Sequence, residues 1–176
     1  MRDDRGVNPR WGLLASGVAT IALLLAMAPA DERMQEGGGP GIVPFELSGG
    51  QDRADDILAE WGEEGRDAAR ESLWIDFGFL LAYGTFLTLA LAWARETIAR
   101  RDFPRLAQAG PVAVWLGAGA AACDAVENAF LLLTLDGAGA AAPALATVFA
   151  AAKFALLAAA IIYIVAGLVT RFRPVP

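Results

Sequence analysis

Residues 117–133 read GAGAAACDAVENAFLLL, an apolar stretch long enough to be part of a bilayer-crossing helix that nevertheless carries Asp124, Glu127 and Asn128. Spacings of i, i+3 and i+4 put these three on one helical face. Traced backwards, that face reaches Ala121, Ala120 and Gly117, small residues that let a second helix approach closely. The polar side is therefore expected to face protein, not lipid. Intramembrane carboxylates are costly, and their presence is by default a hypothesis of a functional site.

The rest of the chain fits the same class. Hydrophobic residues make up 56% of its 176 residues, and the mean hydropathy is +0.46, well above the soluble average. A length of this size makes one domain, residues 1–176. The net charge of −6 comes from acids gathered between the first two apolar runs, and no basic patch invites nucleic acid. Histidine is absent, which removes the commonest metal ligand and the commonest general base near neutral pH. One cysteine, Cys123, forms no internal disulfide and says nothing of compartment.

Four transmembrane helices are expected, at about residues 11–30, 72–94, 111–135 and 143–170. The first run has no charge over twenty residues. A cleaved signal peptide is its rival reading, because Arg2, Arg5 and Arg10 make a basic start and Ala28-Pro29-Ala30 has the form of a cleavage site. Residues 31–47 read as an acidic loop opening on GGGPG. Ser48 with Gln51 has capping-box form, and Ile57, Leu58 and Trp61 gather on one side of the helix that follows, with Gly62 as its stop. An amphipathic helical hairpin over residues 48–71 is expected on the outer surface. Trp74 and Trp93 stand near the two ends of the second helix, as interfacial rings do, and Trp11 and Trp115 read as belt residues too. Pro111 is expected to open the third helix and Pro143 the fourth.

Arginine in short loops sets orientation. The amino terminus, the loop of Arg95, Arg100, Arg101 and Arg105, and Arg171 with Arg173 form one set. The acidic insert and the Asp136 turn form the other. The expectation is an all-α, polytopic four-helix membrane bundle with an extracytoplasmic hairpin and both termini cytoplasmic, in a bacterial inner membrane. FELSGGQDRADDILAEWGEEGRDAARESLWIDFGFLLAYG at residues 45–84, with CDAVENAFLL in the third helix, resembles a group of small uncharacterised bacterial four-helix membrane proteins. The likeness covers about a third of the chain and is carried by Trp61, Asp76, Asp124, Glu127 and Asn128. It implies architecture and no activity.

Counting ~1.5 Å per residue from the outer helix ends puts Asp76 shallow, Glu127 and Asn128 intermediate, and Asp124, Tyr83 and Lys153 deepest. Lys153 is the single lysine among fourteen basic residues and lies within the last apolar run. A lysine is able to lose its proton when buried, as an arginine is not. These six form the expected ligand or proton site, with Asp124 and Glu127 as acids, Lys153 as counter-charge, Tyr83 as hydroxyl donor, and Asp76 and Asn128 at the entrance. Three carboxylates against one ammonium leave excess negative charge in a low-dielectric region, which calls for protons, water or a cation. A carboxylate-only site for a hard metal, with Asn128 as carbonyl ligand, is chemically reasonable but unspecific.

Three function classes follow. The first is binding or movement of a proton, cation or small polar ligand through an outer-facing acidic pocket. The second is a structural or accessory subunit whose ion pairs only hold helices together. The third is an intramembrane lipid-modifying enzyme, the least supported, since no histidine and no P-loop, nucleophile elbow or metalloprotease motif is present. No catalytic residue, metal ligand or cofactor is assigned. The expected partners are the lipid bilayer and either a membrane protein or a second copy of the chain, with no nucleic acid.

Overall fold

A computed structural model describes residues 9–101 and 103–172; Arg2, Arg5 and Arg173 lie outside the described residues. The described chain is helical, with no strand. In order it forms α1 (Pro9–Gln35), α2 (Ile42–Glu46), α3 (Gln51–Ala99), α4 (Pro104–Ala113), α5 (Leu116–Leu135) and α6 (Ala142–Phe172). Four segments are long and apolar enough to cross a membrane: Arg10–Gln35, Gln51–Ala99, Pro104–Leu135 and Ala142–Phe172.

Small residues set the helix pairing. A Cβ at Gly12 would meet Leu89, one at Gly17 would meet Phe86, and one at Gly78 would meet Leu23, so α1 runs antiparallel along α3. A Cβ at Gly84 would stand 2.8 Å from that of Ala121, and one at Gly117 would stand 2.9 Å from the backbone of Thr88, so α5 also runs antiparallel to α3 at close range. On α6, Gly167 lies against Ala94, and Thr170 and Tyr163 are buried nearby. Helix direction alternates along α1, α3, α5 and α6. Arg95, Arg100 and Arg171 consequently share one end of the molecule, where Arg101 donates to the Arg171 carbonyl, and the acidic insert occupies the other.

Several boundaries differ from the sequence expectation. The first helix does not end with its apolar run: it continues through Pro29 to Gln35. Burial explains the extension, because Ala30 and Met34 pack with Phe45, Ile57, Trp61 and Leu73 in one apolar cluster. The loop expected over residues 31–47 contains α2, whose first backbone N–H, from Ile42, is accepted by Asp31. A Cβ at Gly41 would fall 2.5 Å from that carboxylate, so a side chain there would have to push the carboxylate away from the Ile42 N–H. The Ser48 capping box does not form: Gly50 is the N-cap of α3 without a side-chain cap, and the Ser48 hydroxyl is buried without a partner. The third span opens at Pro104, where the missing N–H is one the helix leaves unsatisfied anyway. Pro111 lies inside α4, and the helix breaks at 114–115 before restarting as α5.

The insert runs straight into the second apolar segment, making α3 a single long helix with one kink at Gly62. There φ is +62° and ψ −159°, a conformation essentially reserved for glycine. The bend turns Ala54, Ile57, Leu58 and Trp61 onto the ends of the long helices, and the Trp61 indole donates to the Pro40 carbonyl. Nothing crowds a methyl group at Gly62, so its substitution reports on backbone strain alone. Gly62→Ala is expected to weaken docking of residues 51–61 by ~1–3 kcal/mol, measured as faster amide exchange in that segment with unchanged exchange in α5 and α6.

Candidate functional site

Lys153 organises the polar cluster. An ammonium has three protons to donate, and its nitrogen lies 3.1 Å from Asp124, 3.1 Å from Glu127 Oε1 and 3.4 Å from Glu46. Glu127 Oε2 lies 2.9 Å from the same nitrogen, without a directed hydrogen bond. Asp124 uses both oxygens, since Oδ2 accepts the Tyr83 hydroxyl at 2.8 Å. About two turns along α3 toward the acidic end, Asp76 Oδ2 accepts from Asn128 at 2.6 Å. The six residues singled out in the sequence thus stand together, drawn from α3, α5 and α6. Glu127 is fully buried, and Asp124, Asn128 and Lys153 are nearly so.

Helical spacing is what delivers them. Asp124, Glu127 and Asn128 occupy the α5 stripe facing α3 and α6, continuous with Gly117 and Ala120. Tyr83 and Asp76, seven residues apart on α3, face that stripe one above the other. Lys153 reaches across from α6, whose Ala146, Ala150 and Ala160 are buried on the same side and keep the two backbones close.

Glu46 is the residue that sequence reasoning missed. It sits at the end of α2 with its side chain 12% exposed, and it reaches Lys153 from above. Thr147 fixes it there: the hydroxyl donates to the Glu46 carbonyl at 2.8 Å and accepts the Gly49 N–H at 2.9 Å. The signal was the apolar hexapeptide IVPFEL, bounded by glycines inside an acidic segment, which buries Phe45 completely. Three carboxylates therefore contact the one ammonium, and a fourth, Asp76, stands nearby on Asn128. Cys123 is half-buried and outside the cluster.

A cavity of about 740 Å³ opens beside the cluster, within the size range of small-molecule sites. Asp76, Tyr83, Asp124, Asn128, Lys153 and Glu46 line it together with Thr20, Asp31 and Ser72, and apolar side chains, chiefly leucine and phenylalanine of α1, α3 and α6, line the remainder. Among the described residues, no group of three His, Cys, Asp or Glu is placed to hold a metal ion. No family model matches the chain, and no curated protein or solved structure matches it either. The functional reading therefore rests on this geometry.

Removing one member of a buried charge cluster leaves the others unpaired, which costs about 3–5 kcal/mol for a buried pair. Lys153→Met is expected to destabilise the protein on that scale in detergent unfolding. Adding Glu127→Leu, which removes one of the acids left without the ammonium, restores part of the loss. A double variant no more stable than Lys153→Met would show that the pair is not coupled.

Burial pushes the Glu46 carboxyl above the ordinary carboxylate range, and the Lys153 charge opposes the shift. The docked segment holds this proton more tightly than the solvated one. Docking of α2 is therefore fully favoured below the ordinary carboxylate pKa, and this contribution is lost as pH rises through the elevated value. A nitroxide placed at exposed Val43 is expected to gain mobility over that rise, and Glu46→Gln to flatten the response.

Proposed function

We propose that the chain is a multi-pass membrane protein that binds, and moves or senses, a proton, a monovalent or organic cation, or a small polar ligand in an intramembrane acidic pocket. The observation that carries this reading is the cavity itself: a charged cluster needed only to lock helices would have no reason to line an open space of that size. Asp76 is the member most free to meet a ligand, since its side chain makes one hydrogen bond, at Oδ2, and it lines the cavity. Asp124 and Glu127 supply negative charge, Lys153 balances it, and Tyr83 and Asn128 orient the acids. Membrane insertion is supported by the four apolar helices, and their packing as one bundle by the small-residue contacts along α3. The arginine-rich end is assigned to the cytoplasm, so that the pocket faces outward under the insert, in the inner membrane of a bacterium.

A structural role is the second reading, favoured by the saturation of Lys153 with three carboxylates. Charge displacement on solid-supported proteoliposomes separates the two. Jumps of proton or methylammonium concentration are expected to give a transient that Asp76→Asn diminishes without loss of folded protein. Silence of the unaltered protein toward proton, sodium and methylammonium jumps would leave the structural reading in possession.

A further inference from the structure

The cavity is much larger than its polar end requires, and most of its wall is hydrocarbon. Leu24 and Met27 of α1, Phe79 and Phe86 of α3, and Phe154 and Leu157 of α6 line it. Its side wall is incomplete in a particular way. The extensive packing of α1 is with α3 alone, while α6 packs on α5 and α3, so α1 and α6 flank the cavity without closing on each other. Leu24 remains 54% exposed and Phe154 41% exposed at this seam. In a bilayer such a seam opens sideways onto lipid tails, whereas the charged end lies under α2, where Ile42, Val43 and Glu46 form a roof.

Resting on the acidic-pocket reading, we infer that the ligand is a single-chain cationic amphiphile, which enters laterally between α1 and α6 with its amine at the acidic end and its tail along the apolar wall. The sign of the head group follows from counting donors. All three Lys153 protons have a carboxylate in reach, and the Tyr83 hydroxyl is committed to Asp124. An anionic head group would find few free donors and four carboxylates. An ammonium would find Asp76, whose Oδ1 accepts no hydrogen bond among the described residues, and Glu46, which shares Lys153 with two other acids. The Phe154 ring face is already covered by the Lys153 ammonium, 4.9 Å from its centroid, which leaves the carboxylates to recognise the head group. The apolar wall supplies the affinity for the tail that a small hydrated ion has no use for.

Photolabelling of the full chain in phosphatidylcholine nanodiscs, with a dodecylamine carrying a mid-chain diazirine, tests this. Adducts are expected at Leu24, Phe86 and Leu157, suppressed by excess dodecylamine and unaffected by dodecanol or dodecanoate at equal membrane concentration. Leu157→Trp, which fills the apolar arm and leaves the acids in place, should abolish those adducts; the competition arms use the unaltered chain and decide the matter independently of whether that variant folds. Suppression by dodecanoate or dodecanol as strong as by dodecylamine would overturn the cationic head group. Adducts spread over outward-facing Ile161 and Ile162, indifferent to dodecylamine, would overturn the amphiphile. If proton, sodium or methylammonium jumps still displace charge in that case, the acidic pocket stands and only this inference falls; if none does, both fall.

Discussion

A lone ammonium in an apolar helix is the constraint from which the rest of the arrangement follows. Lys153 is almost completely buried in α6, so its charge is tolerable only beside carboxylates. Asp124 and Glu127 meet that need from α5 and are themselves intolerable without it. Each helix thus carries a charged group that the other must cover, and the two together set both the rotation of α5 against α6 and their axial register. In the membrane proposed above, apolar packing alone would not fix either, since lipid tails are as apolar as leucine. Glycine and alanine then do the complementary work, because charge pairing at about 3 Å demands backbones that approach closely.

The same electrostatics leave a residue of unmet charge. Four carboxylates against one ammonium are more than structural pairing requires, and the surplus sits at the open end, on Asp76 and Glu46. Had selection acted only on stability, a cluster of matched charge, or an apolar replacement, would have served at least as well. On the proposed function, the excess acid and the adjacent cavity are one feature: space bordered by negative charge, shaped for something positive.

What could be read from the sequence was what periodicity and cost encode. Four apolar runs, the shared face of Asp124, Glu127 and Asn128, and the depths of Asp76, Tyr83 and Lys153 all follow from a regular rise per residue, which is enough to bring the six side chains together. Irregular structure obeys no such counting. The charge-free run stops at Ala30 and so suggests an end there, yet Met34 is buried and carries α1 onward. Pro111 looked like a beginning because proline suits the first turn, yet Pro104 suits it equally and lies earlier. Glu46 escaped notice because its helix is too short to show a period and its partner lies more than a hundred residues away, bridged through Thr147.

That long separation bears on how the site is completed. The α5 and α6 helices are neighbours in the chain, joined by a short turn, and between them hold Lys153 with Asp124 and Glu127. Tyr83 and Asp76 come from α3, which packs on Gly117 and Ala121. Glu46 depends on α2, five residues long, too short to persist as a helix in water without the packing of Phe45 on Trp61 and the Thr147 hydrogen bonds at the segment's end. The inner part of the cluster is therefore built on long helices and the outer part on a short docked one.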